Sequence, residues 1–398
     1  MKTIHDFQFT PIQKKILSTA YCNPRISRRE LAEKAGISEK SVIRYAGDFL
    51  NQHIFINQEA CSNAVGRHAE LLQINPEWFT VLSADVGAYS VKIGIVDLSG
   101  RILFRKIWVK GEGWTPHTLT AEMLCEKMQQ VLEESGLKPI GLGLSISGLI
   151  DRDRQSIRYC PNLAQLRDIH VQKAFGETLG LPVCLDTSAR CLALAEARYG
   201  RHKDASNLLY ISAGHSISAG VILDGKIFRG TAGSAGELGH IKVSDDRVRC
   251  TCGSTGCLEL YATVPMIAKS IRCRLSNFIG YSPLPALSSD WSNLQVSQIQ
   301  EGFRLKDKIV LECMTDAGHL LGRATSSFVS SYNPSLVVFG GCLGELYPYV
   351  IEEAIREIER VTLSSTLQDI EITKSALDSC DAAILGAALQ VQDKFFGL

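Results

Sequence analysis

No run of apolar residues in this chain approaches the roughly 20 needed to span a bilayer. Nor does the N-terminus carry a basic stretch followed by an apolar core, so no secretory signal is read there. Excess charge of one sign is missing as well. Lys+Arg and Asp+Glu each total 42 in 398 residues, which removes any whole-chain polyelectrolyte signal for nucleic acid or membrane. The 13 cysteines are odd in number and mostly isolated in apolar contexts, as at Cys125, Cys184, Cys191 and Cys313. That is not a disulfide framework. These absences predict a soluble, cytoplasmic chain in a reducing compartment. What is present is a hydrophobic content of 45%, ample for buried cores, and a length that predicts two to three domains.

The neutral total hides a local bias. Residues 1–50 hold nine Lys/Arg against five Asp/Glu, leaving the remainder mildly acidic. Within this basic front, residues 11–21 place apolar side chains at helical spacing behind Pro11. Ser27-Arg-Arg-Glu30 is a capping box that opens a second helix, ending near Gly36. Ser38 caps a third helix, from Glu39 to about Leu50. Helix, turn and helix make a helix-turn-helix. The third helix turns Val42, Phe49 and Leu50 inward and leaves Lys40, Ser41 and Arg44 near its start on the outer face. There they would reach base edges or phosphates in a major groove, with Ser38 beside them. Two strand-like runs, Ile54–Asn57 and Leu71–Ile74, flank a polar loop containing Arg67. This reads as a wing aimed at phosphate or the minor groove. Asn75-Pro-Glu77 reads as the linker.

Beyond residue 79 the pattern is α/β. Val81–Gly87, Val91–Val96 and Arg101–Trp108 form a three-strand meander. A helix follows over 118–134, then a buried strand, Ile140–Ile146. After an amphipathic segment over 168–180, a second buried strand, Pro182–Leu185, ends at Asp186, and a helix over 188–199 leaves it. A carboxylate at a strand's C-terminal end lies where α/β sheets put their ligands, although a helix N-cap would also place an aspartate there. A second meander over residues 207–229 predicts an internally duplicated fold with two lobes. Later elements are a helix over 309–332, a strand over 336–339, a helix over 346–360, a strand near 370–372 and a closing helix from Asp381.

The segment from Gly236 to Glu259 carries the densest chemistry. It reads Gly-Glu-Leu-Gly-His240, then after nine residues Cys250-Thr-Cys252-Gly-Ser-Thr-Gly-Cys257-Leu-Glu259. One imidazole and three thiols make a Cys₃His set, which suits tetrahedral zinc and leaves no open position for water, as in a structural site. Gly253 and Gly256 would let the backbone fold back so that the ligands converge. Glu237 and Glu259 bracket the ligands, so zinc would hold two acidic arms and a histidine around a common point, as a polyol requires.

This signature resembles the ROK family of sugar kinases and sugar-responsive repressors. The resemblance implies an N-terminal winged helix-turn-helix, residues 1–76, followed by a two-lobe sugar-kinase/actin-like (ribonuclease H-like) fold. Its first lobe would span 79–186 and be completed by helix 381–398; its second would span 187–380. It also implies a sugar or sugar-phosphate effector gripped by Asp186, Glu237, His240 and Glu259, with Asn162 nearby. Operator DNA would be bound by a homodimer or homotetramer. In the family's kinases the position of Asp186 removes a proton from a sugar hydroxyl, so the alternative is an ATP-dependent sugar kinase with Asp186 as base. The chain departs from the kinases at both phosphate turns. The second turn reads Gly214-His-Ser-Ile-Ser-Ala-Gly220 where the kinases are glycine-dense, and close approach of backbone N–H groups to phosphate depends on glycine. The first, Asp85-Val-Gly-Ala-Tyr89, lacks a glycine and a threonine. Leu185 and Ser188 replace asparagines. The expectation is therefore a non-catalytic, sugar-responsive regulator.

Overall fold

The structure is a computed structural model. It describes all residues except 1–6, 59–69, 152–154, 161–162, 204, 278–280 and 285–293. Its chain forms two compact units, Met1–Ser188 with Ala383–Leu398, and Ala189–Ala382.

The first unit begins with α1 (Pro11–Cys22), α2 (Arg28–Ala35) and α3 (Glu39–Asn51). Each starts where a capping side chain is available: Thr10 and Ser27 make full capping boxes, and Ser38 accepts from the Ser41 amide. Strands β1 (Ile26–Ser27), β2 (Phe55–Gln58) and β3 (Leu71–Ile74) form a small antiparallel sheet in the order β1-β3-β2. Together they make a winged helix-turn-helix. The segment read as a linker is pinned: Asn75 Nδ2 donates to the His53 carbonyl at 2.9 Å, and the Glu77 amide donates to Asn75 Oδ1 at 3.0 Å.

Strands β4 (Val81–Val86), β5 (Ser90–Val96) and β6 (Ile102–Val109) then run as an antiparallel meander. Helix α4 (Ala121–Ser135) leads to β7 (Leu142–Ile146), which pairs parallel with β4. A minor sheet follows: β8 (Leu149–Asp151), β9 (Ser156–Tyr159) and β10 (Ile169–His170). After the short α5 (Glu177–Leu179), β11 (Val183–Thr187) pairs parallel with β7. All five residues of β7 are buried, as expected of a strand covered on both faces. The amphipathic segment over 168–180 is not a single element. It opens with β10 and passes through a wide turn at Gln172–Gly176 before the single turn of α5. There Gln172 is turned inward, its amide donating to the Leu181 carbonyl and its carbonyl oxygen accepting from the Val183 amide.

The second unit repeats this plan. After α6 (Ser188–Tyr199) come β12 (Leu208–Ala213), β13 (Ile217–Leu223) and β14 (Lys226–Ile227), again antiparallel. Short helix α7 (Glu259–Ala262) and helices α8 (Val264–Ser276), α9 (Val296–Arg304) and α10 (Lys308–Tyr332) precede β15 (Leu336–Gly340), which pairs parallel with β12. Then follow α11 (Cys342–Leu346), α12 (Pro348–Val361), α13 (Ser364–Leu367) and β16 (Glu371–Lys374), parallel to β15. The sheets read β6-β5-β4-β7-β11 and β14-β13-β12-β15-β16. Strand order and direction are the same in both, which establishes the internal duplication. The stretch read as a helix over 346–360 is α12, which starts at Pro348, with the short α11 ahead of it. Tyr347 leaves helical geometry at φ −135°, and Pro348 then occupies the first position of α12, where its missing N–H costs nothing.

Helix α14 (Ser379–Phe396) closes the chain. Tyr21 of α1 stacks on Phe396 at 4.1 Å between ring centroids, and its hydroxyl donates to Gln392 Oε1 at 2.9 Å. Gln392 Nε2 in turn donates to the Asp97 carbonyl at the β5–β6 turn, also at 2.9 Å. A buried hydrogen-bond chain thus runs from the winged helix through α14 to the sheet of the same unit. The first-unit core runs from Leu82, Ile93, Leu144 and Val183 to Trp114 and Phe175; the second gathers Ile211, Leu238, Ile267, Leu321 and Phe339. Among the described residues no helix is long and apolar enough to cross a membrane, and twelve cysteines are thiols outside any disulfide.

Candidate metal centre, effector and DNA-binding residues

In the second unit the chain between β14 and α7 coils into a compact loop. Isolated bridges pair Lys242 with Cys257 and Arg249 with Thr255. Two glycines make the coil possible. Gly253 sits at φ +93°, and at Gly256 (φ +68°) a Cβ would lie 1.9 Å from the Ser244 carbonyl oxygen. The side chains of His240, Cys250, Cys252 and Cys257 converge, each offering one ligand atom within 4.8 Å of the others. Cys250 Sγ is 3.6 Å from His240 Nδ1, and Cys252 Sγ is 3.6 Å from Cys257 Sγ. A tetrahedral zinc with sulfur ligands at about 2.3 Å has edges of roughly 3.8 Å, so the donor set fits such an ion. The chemistry of the donors points the same way. Burial and hydrogen bonds with Cys252 and Cys250 push the Cys257 thiol up to about 12. Three thiols so crowded require a cation before all can ionise.

Glu237, His240 and Glu259 adjoin this loop. While Nδ1 of His240 faces the thiols, its Nε2 lies 4.0 Å from Glu237 Oε2. One carboxylate oxygen of Glu259 accepts from the Ile217 amide at 2.8 Å, which fixes the side chain at the first position of α7 against the β12–β13 turn. Burial raises the Glu237 carboxyl above its ordinary range; His240 and Arg190 pull it back, and Glu259 raises it further. Arg190 was not singled out from sequence. It is 1% exposed on α6 and donates to the Gly233 carbonyl at 3.0 Å, holding the strand of chain that leads into Glu237. Its signal was a lone guanidinium inside an otherwise apolar helical run, Ser188–Ala195.

Asp186 belongs to the first unit. It is buried at the C-terminal end of β11, and its Oδ1 accepts from the Thr187 amide at 2.9 Å. At the end of β4, which lies across β7 from β11, Asp85 is also buried. Its Oδ2 pairs with the Lys92 ammonium at 3.1 Å, and its Oδ1 accepts from the hydroxyls of Ser145 at 2.5 Å and Ser188 at 3.1 Å. Cross-strand pairing puts Lys92 directly opposite Asp85. Asn162 lies outside the described residues.

In the winged helix, Lys40 and Arg44 are exposed on α3, Ser41 is half-buried, and Val42 and Phe49 are buried, while Leu50 is only partly covered. Ser38 is exposed but its hydroxyl is committed to the cap, 2.8 Å from Ser41 Oγ. Arg44 lies 5.5 Å over the Tyr45 ring. Ile43 is 54% exposed beside them; the inward/outward reading of the helix overlooked it. Arg67 of the wing lies outside the described residues.

The sequence profile of the ROK family matches residues 81–394, well over half of the chain. The chain belongs to the ROK family. A winged helix-turn-helix DNA-binding profile matches residues 9–54, ahead of the ROK domain. The chain is 26% identical over 389 residues to a Bacillus subtilis protein described as a xylose repressor, covering 97% of this chain and 96% of that one. It is 24% identical over 359 residues to the Escherichia coli DNA-binding transcriptional dual regulator NagC, covering 89% and 86%. Among solved structures, a ROK family transcriptional regulator, a homologue of the Escherichia coli MLC protein, superposes with a TM-score of 0.80 at 23% identity, over 97% of this chain and 98% of that one. A ROK family glucokinase from Streptomyces griseus superposes with a TM-score of 0.67 at 24% identity, over 78% and 98%. These superpositions establish the shared fold.

Proposed function

We propose that this ROK chain is a sugar-responsive DNA-binding repressor of carbohydrate genes. One observation carries the reading: a winged helix with Lys40, Ile43 and Arg44 exposed at the start of α3 precedes, in the same chain, a full ROK domain. Relatives of this two-part length are described as a xylose repressor and the NagC regulator. The recognition helix would enter the major groove of an operator, bound by a homodimer or homotetramer. His240, Cys250, Cys252 and Cys257 would hold a structural zinc; its chemistry is to lock the loop and fix the tautomer of His240. That leaves the Nε2–H side of the ring and the carboxylates of Glu237 and Glu259 to bind hydroxyls of a sugar or sugar phosphate. Charge-assisted bonds from hydroxyls to carboxylates are about twice as strong as neutral ones.

In this reading the domain binds without catalysing. Asp85, at the end of the first strand of its sheet, is already engaged by one ammonium and two hydroxyls, and the phosphate turns have lost glycines. Binding tests the site: Glu237→Gln and Glu259→Gln should each weaken the inducing sugar ten-fold or more, about 1.4 kcal/mol, in isothermal titration. Unchanged affinity in both variants would remove these carboxylates from the effector site. A coupled ATPase assay over a sugar panel separates the alternative of a kinase with Asp186 as base.

A further inference from the structure

The turns after β12 and β15, adjacent parallel strands of the second unit, bring together two reactive side chains that the reading above does not use. Cys342 opens α11 with its Sγ 3.6 Å from Nδ1 of His215. Both side chains are half-buried, so each reaches solvent. The approach is built into the backbone. A Cβ on Gly214 would lie 2.7 Å from Cys342 Sγ, and one on Gly341, at φ +85°, would lie 2.4 Å from the Ala213 carbonyl oxygen. Any larger residue at 214 would displace the thiol from the ring. Six of the other thiols differ in setting. Cys125, Cys184 and Cys313 are buried, and burial pushes all three thiols up; Cys250, Cys252 and Cys257 belong to the candidate metal-binding cluster. The titratable groups of α11 and its C-terminal flank do not compete for the proton. Glu345 points into solvent, and Tyr347 is buried with its phenol pushed up to about 12 by that burial and by the nearby thiol.

We propose that Cys342 and His215 form a reactive thiol site, open to modification by hydroperoxides and soft electrophiles. An imidazole with its proton on Nε2 can take the thiol proton at Nδ1, leaving a thiolate paired with an imidazolium, the arrangement that activates cysteine nucleophiles. With a hydroperoxide the thiolate electron pair attacks the outer oxygen. An S–O bond forms, the O–O bond breaks, and sulfur is oxidised to the sulfenic acid while the peroxide oxygens are reduced. The departing hydroxide or alkoxide takes the proton from His215 and leaves as water or alcohol. With an alkyl halide the same pair displaces halide.

The test uses the full-length protein and its own exposed thiols as references. Iodoacetamide is added at neutral pH, and alkylation of Cys342, Cys22 and Cys273 is followed by peptide mass spectrometry. Cys22 and Cys273 are exposed, whereas Cys342 is only partly so. Accessibility alone therefore ranks Cys342 slower. A thiolate pair ranks it about ten-fold faster, because an ordinary thiol is only a few per cent ionised at pH 7. His215→Asn should bring Cys342 down to the reference rates, and hydrogen peroxide with a dimedone trap should label Cys342 first in the parent alone. Cys342 reacting no faster than the two references would overturn the proposal, and that comparison stands even if the variant fails to fold. An unchanged Cys342 rate in folded His215→Asn would remove the histidine from the site.

Discussion

Replacing Lys92 with methionine tests how firmly Asp85 is committed. The pair is well shielded, with side chains 16% and 8% exposed and atoms 3.1 Å apart. At an effective dielectric of about 20, unit charges at that distance attract by about 5 kcal/mol. Desolvating both groups takes back a large part of this. Losing one partner nevertheless leaves the other charged and buried, a change that costs about 3–5 kcal/mol in deep sites. Here the Ser145 and Ser188 hydroxyls still donate to Asp85, so the expected loss for Lys92→Met is about 2–4 kcal/mol. Asp85→Asn should cost less, because the amide oxygen keeps the serine bonds and the Lys92 side chain, the more exposed of the two, can turn its ammonium toward water. Combined, the two changes should cost less than their sum, with a coupling of about 2 kcal/mol. Urea unfolding of the four proteins, followed by tryptophan fluorescence and circular dichroism, measures this. A loss below about 0.5 kcal/mol for Lys92→Met with no coupling would show that the ammonium does not hold Asp85, and the argument against a working phosphate turn would lose its structural support.

Other outcomes follow from the same reasoning. Purified protein should carry about one zinc per chain by elemental analysis, and Cys252→Ser should lose it, because a tetrahedral site needs all four donors; metal-free protein with an intact sugar response would contradict the assignment. Arg44→Ala and Lys40→Ala should weaken operator binding with sugar affinity unchanged, Arg44 by roughly 1–3 kcal/mol if it reads a base; equal anisotropy titrations for parent and both variants would mean that another surface meets DNA. Hydrogen bonds from Arg360 and Arg323 hold the Glu357 carboxyl down at about 2, against an ordinary 4.5. A depressed acid stabilises the fold above its ordinary value and loses that contribution as pH falls from there through about 2. Because the two guanidinium groups are 57% and 63% exposed, solvent screening limits the contribution to about 1–2 kcal/mol. Glu357→Gln should flatten stability between pH 5 and 2, and an unchanged acid limb in chemical denaturation would refute it.

Much of the architecture was legible because local signals agreed with tertiary structure. Ser27 and Glu30 announced α2 by chemistry that the fold uses. The run from Ser188 to Tyr199 gave α6 its bounds, and two meanders with following buried strands foretold the duplicated sheets. The convergence of His240, Cys250, Cys252 and Cys257 was legible because their spacing and the glycine placement are local. What failed was set by contacts distant in sequence. The segment over 168–180 read only as amphipathic, and its wide turn goes with Gln172 being drawn away to cap the start of β11. Lys92 reads as one polar residue in an alternating strand, and only the cross-strand register puts it on Asp85. Arg190 sits in an apolar run whose partners are backbone carbonyls over 40 residues on. Cys342 and His215 are 127 residues apart, so no spacing rule joins them.

The central claim is that one chain binds DNA and lets go, or holds on, in response to a sugar. The most direct measurement incubates purified full-length protein with fragments of its source genome and recovers bound DNA. Anisotropy titrations on the enriched fragment are then repeated with xylose, N-acetylglucosamine, glucose and their phosphates. A sugar-responsive repressor gives at least one enriched fragment and one sugar that shifts its apparent Kd ten-fold or more, with the shift diminished in Glu237→Gln. A fragment bound with the same affinity in every sugar, or no enriched fragment at all, would contradict it.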